Sequence, residues 1–344
     1  MRDIDGSYGE GGGQLLRTAC ALAAITGEAI RVRNVRARRA PSGLAPQHLM
    51  AVKAVGALCE ADVEGLELRS QDVVFRPGRL RGGEFRFDVG TAGSVTLVLQ
   101  ALLPAAIASG MPVRIHLIGG TDIRAAPPLD YFRFVLLPLL ARMGAEIDAT
   151  LIRRGYYPRG GGEITVAVQP RRLRPLRLEA PGTVREIRGI AHVSNLPTHI
   201  ATRMRDTAAR ILADVGRVDV EQQTLGPEKA VGQGGAIALW TSTERALLGG
   251  ANVAQRGIPA ERIAEAAAQS LREDIAAGAT LDVHAADQVL VYAALAAEPS
   301  VFLARTISSH AATTLWLLQQ LLTLQIHTST AGTCTRLMLQ PGNR

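Results

Sequence analysis

Three stretches of this chain repeat one order of predicted elements, and that internal repeat restricts its fold more than any other feature. The first opens at Gly11-Gly12-Gly13-Gln14, then predicts a helix over Leu15–Ile25, a strand at Ile30–Val35, a helix over Gln47–Cys59, and strands at Val63–Leu68 and Val73–Arg76. The second opens at Gly90-Thr91-Ala92-Gly93-Ser94, followed by a helix over Val95–Ala108, a strand at Val113–Ile118, a helix over Leu129–Met143, and strands near Ile147–Ile152 and Glu163–Val168. The third is shorter and begins near Ala285, with a helix through Gln288–Ala296, a strand at Val301–Thr306, a helix over Ala311–Leu322, and strands at Leu324–Thr328 and Thr335–Leu339. Each reads helix, strand, helix, strand, strand, which is a helix-on-sheet unit made three times.

Hydrophobic period carries these assignments. Phe132, Leu136, Leu139, Leu140 and Met143 fall on one helical face, and Pro138 among them predicts a bend. Ile30–Arg33 and Val113–Leu117 instead alternate apolar and polar residues, as half-buried strands do. About ninety residues between the second and third units break the period. Strand-like Val184–His192, helical Arg203–Val215, strand-like Ala236–Thr241 and helical Ala260–Ala277 predict a compact α/β insert. The expectation is a core of three repeats over 1–183 and 277–344, with an inserted small domain over 184–276.

With 344 residues, 47% of them hydrophobic, the chain has ample material for buried cores and none of the signature of disorder. It has no long apolar run and no apolar signal region at its start, so it is expected to be soluble and cytoplasmic, without a membrane partner. Cys20, Cys59 and Cys334 are odd in number and set among Ala, Leu and Thr, which fits buried thiols rather than disulfides or zinc. The formal charge is +7, and only Lys53 and Lys229 among the basic residues are lysine. Arginine suits phosphate contacts, so a polyanionic ligand is one explanation of this bias; an arginine-rich proteome is the other.

Gly9-Glu10-Gly11-Gly12-Gly13-Gln14 precedes an amphipathic helix and reads either as a phosphate cradle or as a tight structural turn. It matches neither the P-loop nor the dinucleotide fingerprint. Glu10 suits such a site only if it faces a divalent cation, and Arg17 lies further into the helix. The stretch Arg31 to Arg39 carries five arginines in nine residues. If it continues as a strand, Arg31 and Arg33 share one face and Arg36 and Arg38 the other, so its end must leave the sheet or meet anions; a charged, solvated edge strand is the competing reading. The loop from Pro41 to His48 should aim Gln47 and His48 at the same region. Ser308-Ser309-His310 follows a strand and opens a helix, where the dipole keeps an imidazole neutral and a phosphate is welcome, although an ordinary first-turn histidine has the same pattern. His116, His192, His199 and His327 have no chemical company in the sequence.

Several segments together resemble the RNA 3′-terminal phosphate cyclases along nearly the whole length. They are Asp5 to Arg17, Val35 to Arg39 with Gly43-Leu44 and Gln47-His48-Leu49, Gly119 to Asp122 leading to Ala126-Pro127-Pro128, and Arg154-Gly155-Tyr156-Tyr157-Pro158-Arg159-Gly160-Gly161-Gly162-Glu163, with Ala286-Asp287-Gln288 and Ser309-His310 near the end. The resemblance implies an α/β (α+β) fold of three βαβαββ repeats, as in enolpyruvyl transferases, with a small thioredoxin-like insert. It implies an ATP-dependent enzyme that converts an RNA 3′-phosphate end to a 2′,3′-cyclic phosphate through a histidine–AMP intermediate. By that pattern His310 is the nucleophile, with Arg17, Arg36, Arg39, Gln47 and His48 in the catalytic region. Gln100, Pro127, His284, Asp287 and Gln288 line the ATP site together with Gly11, Gly12 and Gly13, and Glu10 faces a divalent cation, Mg2+ or Mn2+. His284 departs from the tyrosine of many relatives. The partner is RNA with a 3′-phosphate end, and other nucleic-acid ends remain open.

Two rivals are an enolpyruvyl-transferase-like enzyme and a non-catalytic ribosome-assembly relative. The first has no use for an adenylated histidine, and the second lacks the nucleophile, so the pairing of Ser309-His310 with Ala286-Asp287-Gln288 weighs against both.

Overall fold

A computed structural model describes residues 1–342. The first unit is β1 (Arg2–Asp5), α1 (Gly13–Thr26), β2 (Ile30–Arg33), α2 (Pro46–Cys59), β3 (Asp62–Glu64) and β4 (Val73–Arg76). Its sheet runs β1-β2-β4-β3, with β1 and β2 parallel and the remaining pairs antiparallel. Parallel neighbours need a crossover, and α1 supplies it.

The second unit repeats this. It contains β5 (Gly83–Asp88), α3 (Val95–Ala108), β6 (Val113–Gly119), a broken helix, β7 (Glu146–Gly155) and β8 (Gly162–Gln169). Its own strands lie in the order β5-β6-β8-β7. The broken helix is α4 (Leu129–Tyr131), a π turn over Phe132–Leu136 and α5 (Leu137–Arg142). Pro138 has no N–H to donate and its ring crowds the carbonyl four residues earlier, so the disturbance takes the form of a wider π turn just ahead of it.

The third unit is divided in sequence. β9 (Arg177–Leu178) precedes a long excursion: β10 (Glu186–Ser194), α6 (His199–Leu212), β11 (Arg217–Leu225), β12 (Ala230–Val231), β13 (Gly234–Ser242), β14 (Leu247–Val253) and α7 (Ala260–Ala277). The unit resumes with α8 (Val283–Leu295), β15 (Ser300–Ala304), α9 (Ser309–Leu321), β16 (Leu324–Ala331) and β17 (Cys334–Pro341). β9 pairs parallel with β15, giving the order β9-β15-β17-β16. The third repeat therefore does not begin near Ala285: its first strand lies upstream of the excursion. Two residues are too few to leave a periodic signal.

The excursion builds its own sheet, β11-β10-β13-β14, in which only β10 and β11 are parallel. A βαβ start followed by two antiparallel strands and a helix is a thioredoxin-like connectivity. α6 and α7 pack on each other and on this sheet around Met204, Ile237, Leu239 and Leu271. The same cluster takes in Leu303 and Cys334 from the third unit.

In the three-unit core the helices meet one another. α1, α2 and α3 pack together, α9 lies on α1, and α8 contacts both α9 and α3. Leu22, Val52, Val98, Leu102, Leu290 and Leu318 are among the buried side chains between them. All three cysteines are buried and free. Among the described residues no helix is long and apolar enough to cross a membrane.

One segment departs from the strand pattern. The expected strand at Ile30–Val35 ends at Arg33, and the chain turns through residues 34–41, with Asn34 and Arg36 at φ of 57° and 53°. Arg36 and Arg38 thus share no strand face. The arginine run leaves the sheet, the first of the two outcomes open from its charge.

Candidate active site

Ser308 caps α9 by accepting a hydrogen bond from the Ala311 N–H at 3.0 Å, which leaves His310 in the first turn. The Ser308 hydroxyl also donates to Asp287 Oδ1 at 2.7 Å, tying the start of α9 to α8. Burial raises the Asp287 carboxyl to about 6, against the opposing Ser308 bond. Burial pushes the His310 imidazole below its ordinary pKa; Glu10 opposes that, while Arg17, Arg39 and His284 reinforce it. Near neutral pH the ring is uncharged.

The glycine-rich loop runs along this helix. The Glu10 N–H donates to Thr313 Oγ1 at 3.3 Å, and Gln14 Nε2 donates to Thr314 Oγ1 at 3.0 Å. The Glu10 carboxylate meets His310 Nδ1 through Oε2 and Arg39 through Oε1. The approach to His310 is not an aligned hydrogen bond, and Oε2 has no hydrogen-bond partner. Gly9 must be glycine here, because with φ of +59° a Cβ would run into Thr313.

α1 starts at this loop without a side-chain cap, so its first N–H groups stay available. One turn in, Arg17 is 6% exposed, its Nε has no partner, and burial depresses its pKa to about 10. An unpaired buried guanidinium is costly and suits a site that receives an anion. His48 packs beneath the loop with its ring against Gly13, where a Cβ would collide with it. Burial, with Arg17 and Arg36 nearby, lowers the His48 pKa to about 3. The Ala45 N–H donates to His48 Nδ1 at 3.3 Å, so the neutral ring carries its proton on Nε2.

Other residues are distributed around this centre. Gly12 faces Arg39, and a Cβ there would lie 3.8 Å from Nη2. Gln47 and His48 do not point at one region: Gln47 Oε1 accepts from the Ser94 N–H at 3.3 Å, toward the second unit, whereas His48 turns under Gly13. Adjacent residues on a helix diverge by about 100°, which the loop's turn residues could not cancel. Arg36 is not aimed at the opening either, since its Nη1 donates to the carbonyls of Pro41 at 3.2 Å and Gly43 at 2.6 Å. Gln100 Nε2 donates to Gln288 Oε1 at 3.0 Å, joining α3 to α8. The Pro127 carbonyl accepts from Thr96 at 2.8 Å. His284 sits in the first turn of α8, close enough to influence both Asp287 and His310. Among the described residues no three acidic, histidine or cysteine side chains converge as a metal site.

Sequence reasoning missed a buried ionic cluster. Arg154 Nη1 donates to Asp122 Oδ2 at 3.2 Å and Nη2 to Asp130 Oδ2 at 2.6 Å. His192, from β10, lies 3.7 Å from both carboxylates and meets the Tyr156 hydroxyl at 3.1 Å. Burial disfavours the Asp122 carboxylate, but Arg154 and His192 outweigh it and hold its pKa below the usual range. The reading of His192 as a residue without chemical company is therefore corrected. The Arg154 to Glu163 motif joins the second unit to the excursion, helped by pairing of β12 with β7. The sequence signals were Asp122, closing the segment from Gly119, and Arg154, at the head of a glycine-rich run.

The geometry defines an α/β protein in which the start of α1, with buried Arg17, and the start of α9, with His310, come together between the first and third units. The profile of the RNA 3′-terminal phosphate cyclases matches residues 8–328. An RNA 3′-terminal phosphate cyclase of Nitrosospira multiformis is 55% identical, covering 99% of this chain and 97% of that protein. Those of Ignicoccus hospitalis (47%; 86% of this chain and 85% of that protein) and Hyperthermus butylicus (44%; 92% and 90%) are also similar. Among solved structures, the enolpyruvyl transferase NikO from Streptomyces tendae aligns over 95% of this chain and 46% of its own, at 12% identity and a TM-score of 0.40. The chain belongs to the RNA 3′-terminal phosphate cyclase family, a family of enzymes.

Proposed function

We propose that this chain uses ATP to convert the 3′-phosphate end of an RNA into a 2′,3′-cyclic phosphate, in the cytoplasm, with His310 as the adenylated residue. The observation that carries the reading is buried Arg17, whose Nε has no hydrogen-bond partner, within electrostatic reach of a neutral His310. Glu10 favours the proton of the neutral imidazole on Nδ1, which leaves the Nε2 lone pair free to attack.

His310 Nε2 forms a bond to the α-phosphorus of ATP as the bond to pyrophosphate breaks, and the ring's surplus proton is lost. An oxygen of the RNA 3′-phosphate then displaces the imidazole, which takes up a proton as the P–N bond breaks and so restores His310. A 3′-phosphate lacks a good leaving group, and AMP supplies one, so two easier steps replace a difficult one. Finally the neighbouring 2′-hydroxyl attacks the 3′-phosphorus, loses its proton and expels AMP. That step is intramolecular, so holding the ribose in place contributes much of its rate.

Arg17, Arg39 and the free N–H groups at the start of α1 stabilise charge on the phosphoryl oxygens. Gly11, Gly12 and Gly13 allow the backbone to approach those oxygens. Gln100, Pro127, His284, Asp287 and Gln288 form the adenosine side of the site, and the Ser308–Asp287 bond fixes that side relative to the nucleophile. Gln47, reaching from α2 to the Ser94 N–H of the second unit, and His48, beneath the loop, support it. Glu10 is the carboxylate at this site, and one carboxylate with substrate phosphates is a common magnesium set; a cation there would share the carboxylate with Arg39 and His310. Bound there, Mg2+ or Mn2+ would offset charge on the transferring phosphoryl group. Residues 184–276 act in this reading as an inserted domain, a division supported by their own sheet and cluster.

The test is incubation with ATP labelled at the α-phosphate. A covalent, acid-labile, hydroxylamine-resistant AMP adduct and cyclisation of a 3′-phosphorylated RNA are expected; their absence from folded protein would overturn the proposal.

A further inference from the structure

Tyr8 and Trp316 stack with ring centroids 3.9 Å apart and planes 16° from parallel. Trp316 is fixed from below, being partly buried against the main core. Tyr8 lies over it and remains 43% exposed. The contact continues the one that builds the active site, because the glycine-rich loop descends α9 in step. Glu10 faces His310, the Glu10 N–H and Gly9 face Thr313, and Tyr8 faces Trp316. Exposed Arg38 donates to the carbonyl of Gly9, the residue next to Tyr8, at 3.2 Å.

We infer that the open face of Tyr8 is a stacking platform for a nucleobase near the RNA 3′ end, an inference that rests on the proposed function. An aromatic ring held rigid by another, beside a cation and open on one side, has the makings of a sequence-tolerant single-strand platform. Its position sets the register. From His310 to Trp316 the helix rises about 9 Å, against about 3.4 Å per nucleotide along a stacked strand. A 3′-phosphate delivered to His310 thus places one of the last few bases over Tyr8. Arg38 is within reach of the intervening backbone phosphates. No base-specific hydrogen bond is called for, so the platform accepts any of the four bases.

The test combines abasic RNA with substitution. Oligoribonucleotides ending in a 3′-phosphate, with an abasic residue at each of the last four positions in turn, are assayed for cyclisation KM and, after 5′-fluorescein labelling, for Kd by anisotropy. With the wild-type protein, loss of the base at one position should weaken RNA use about tenfold. Tyr8→Ala should weaken intact RNA by a similar factor, beyond any fall in its self-adenylation, and should no longer respond to the abasic position; Tyr8→Phe should behave as wild type. Equal KM and Kd for all the abasic RNAs would overturn the platform, as would additive losses from Tyr8→Ala and the abasic position, leaving the stack a fastening of loop to helix. Failure of wild-type adenylation would instead overturn the proposed function, and the Kd comparison would still decide the platform.

Discussion

His310 Nδ1 lies against the Glu10 carboxylate, although the two residues come from opposite ends of the chain. Glu10 is held in turn by Arg39 and by the Thr313 hydroxyl on its backbone N–H. In the proposed mechanism this carboxylate favours the proton on Nδ1 and leaves Nε2 free. Glu10→Gln should therefore slow self-adenylation by about 10- to 100-fold, the range for losing an imidazole's carboxylate partner, with little change in unfolding midpoint. Single-turnover labelling with α-labelled ATP measures this, and an undiminished rate would remove Glu10 from the mechanism.

His310→Ala and His310→Asn should bind ATP but form no AMP adduct and cyclise no RNA. Mass spectrometry of the wild-type adduct should place AMP on His310. An adduct on another residue, or cyclisation by the alanine variant, would sink the mechanism while leaving the fold intact.

Arg36 and Arg39 should behave differently despite lying three residues apart. Arg39 is nearly half exposed and reaches Glu10, so Arg39→Gln should lower activity and leave stability within about 0.5 kcal/mol. Arg36 holds two loop carbonyls at a strained backbone position, so Arg36→Gln should destabilise by about 1–3 kcal/mol, as for loss of charged hydrogen bonds. Denaturant melts beside adenylation rates separate the two; equal effects on both measures would refute the distinction.

His48 predicts an acid-sensitive fold. Its folded pKa of about 3 lies below the value of 6.5 for a free imidazole, so only the unfolded chain takes up its proton between those values. The stability tied to the neutral ring is complete above pH 6.5 and is lost as pH falls toward 3, at about 1.4 kcal/mol per unit. His48→Gln should flatten the stability profile between pH 6.5 and 4.5. A variant with the wild-type slope would assign the acid sensitivity elsewhere.

Arg154→Met leaves Asp122 and Asp130 buried without their cation, which should cost about 3–5 kcal/mol in urea unfolding. The cluster reaches His192 in β10, so amide exchange should rise in β10 and in β7 together. A change confined to β7 would show that the cluster does not couple the second unit to the excursion.

The repeats were legible because helix and strand periods are local. Phe132 through Met143 and Val113 through Leu117 carry their structure in spacing alone, and Ser308 before His310 announces a helix start. β9 was not legible, because a two-residue strand exists only by pairing with β15, across the whole excursion. The resemblance puts Arg36 and Gln47 in the catalytic region, yet the folded chain sends one to loop carbonyls and the other to Ser94. The sequence by itself thus determined which units form, which residues are candidates for nucleophile and anion receptor, and the family. Only the tertiary structure decided that Glu10 meets His310, that Arg17 is buried unpaired, that His192 completes an ionic cluster and that Tyr8 lies on Trp316. Those relations depend on burial and on contacts between distant segments, and neither is a property of any stretch of chain read alone.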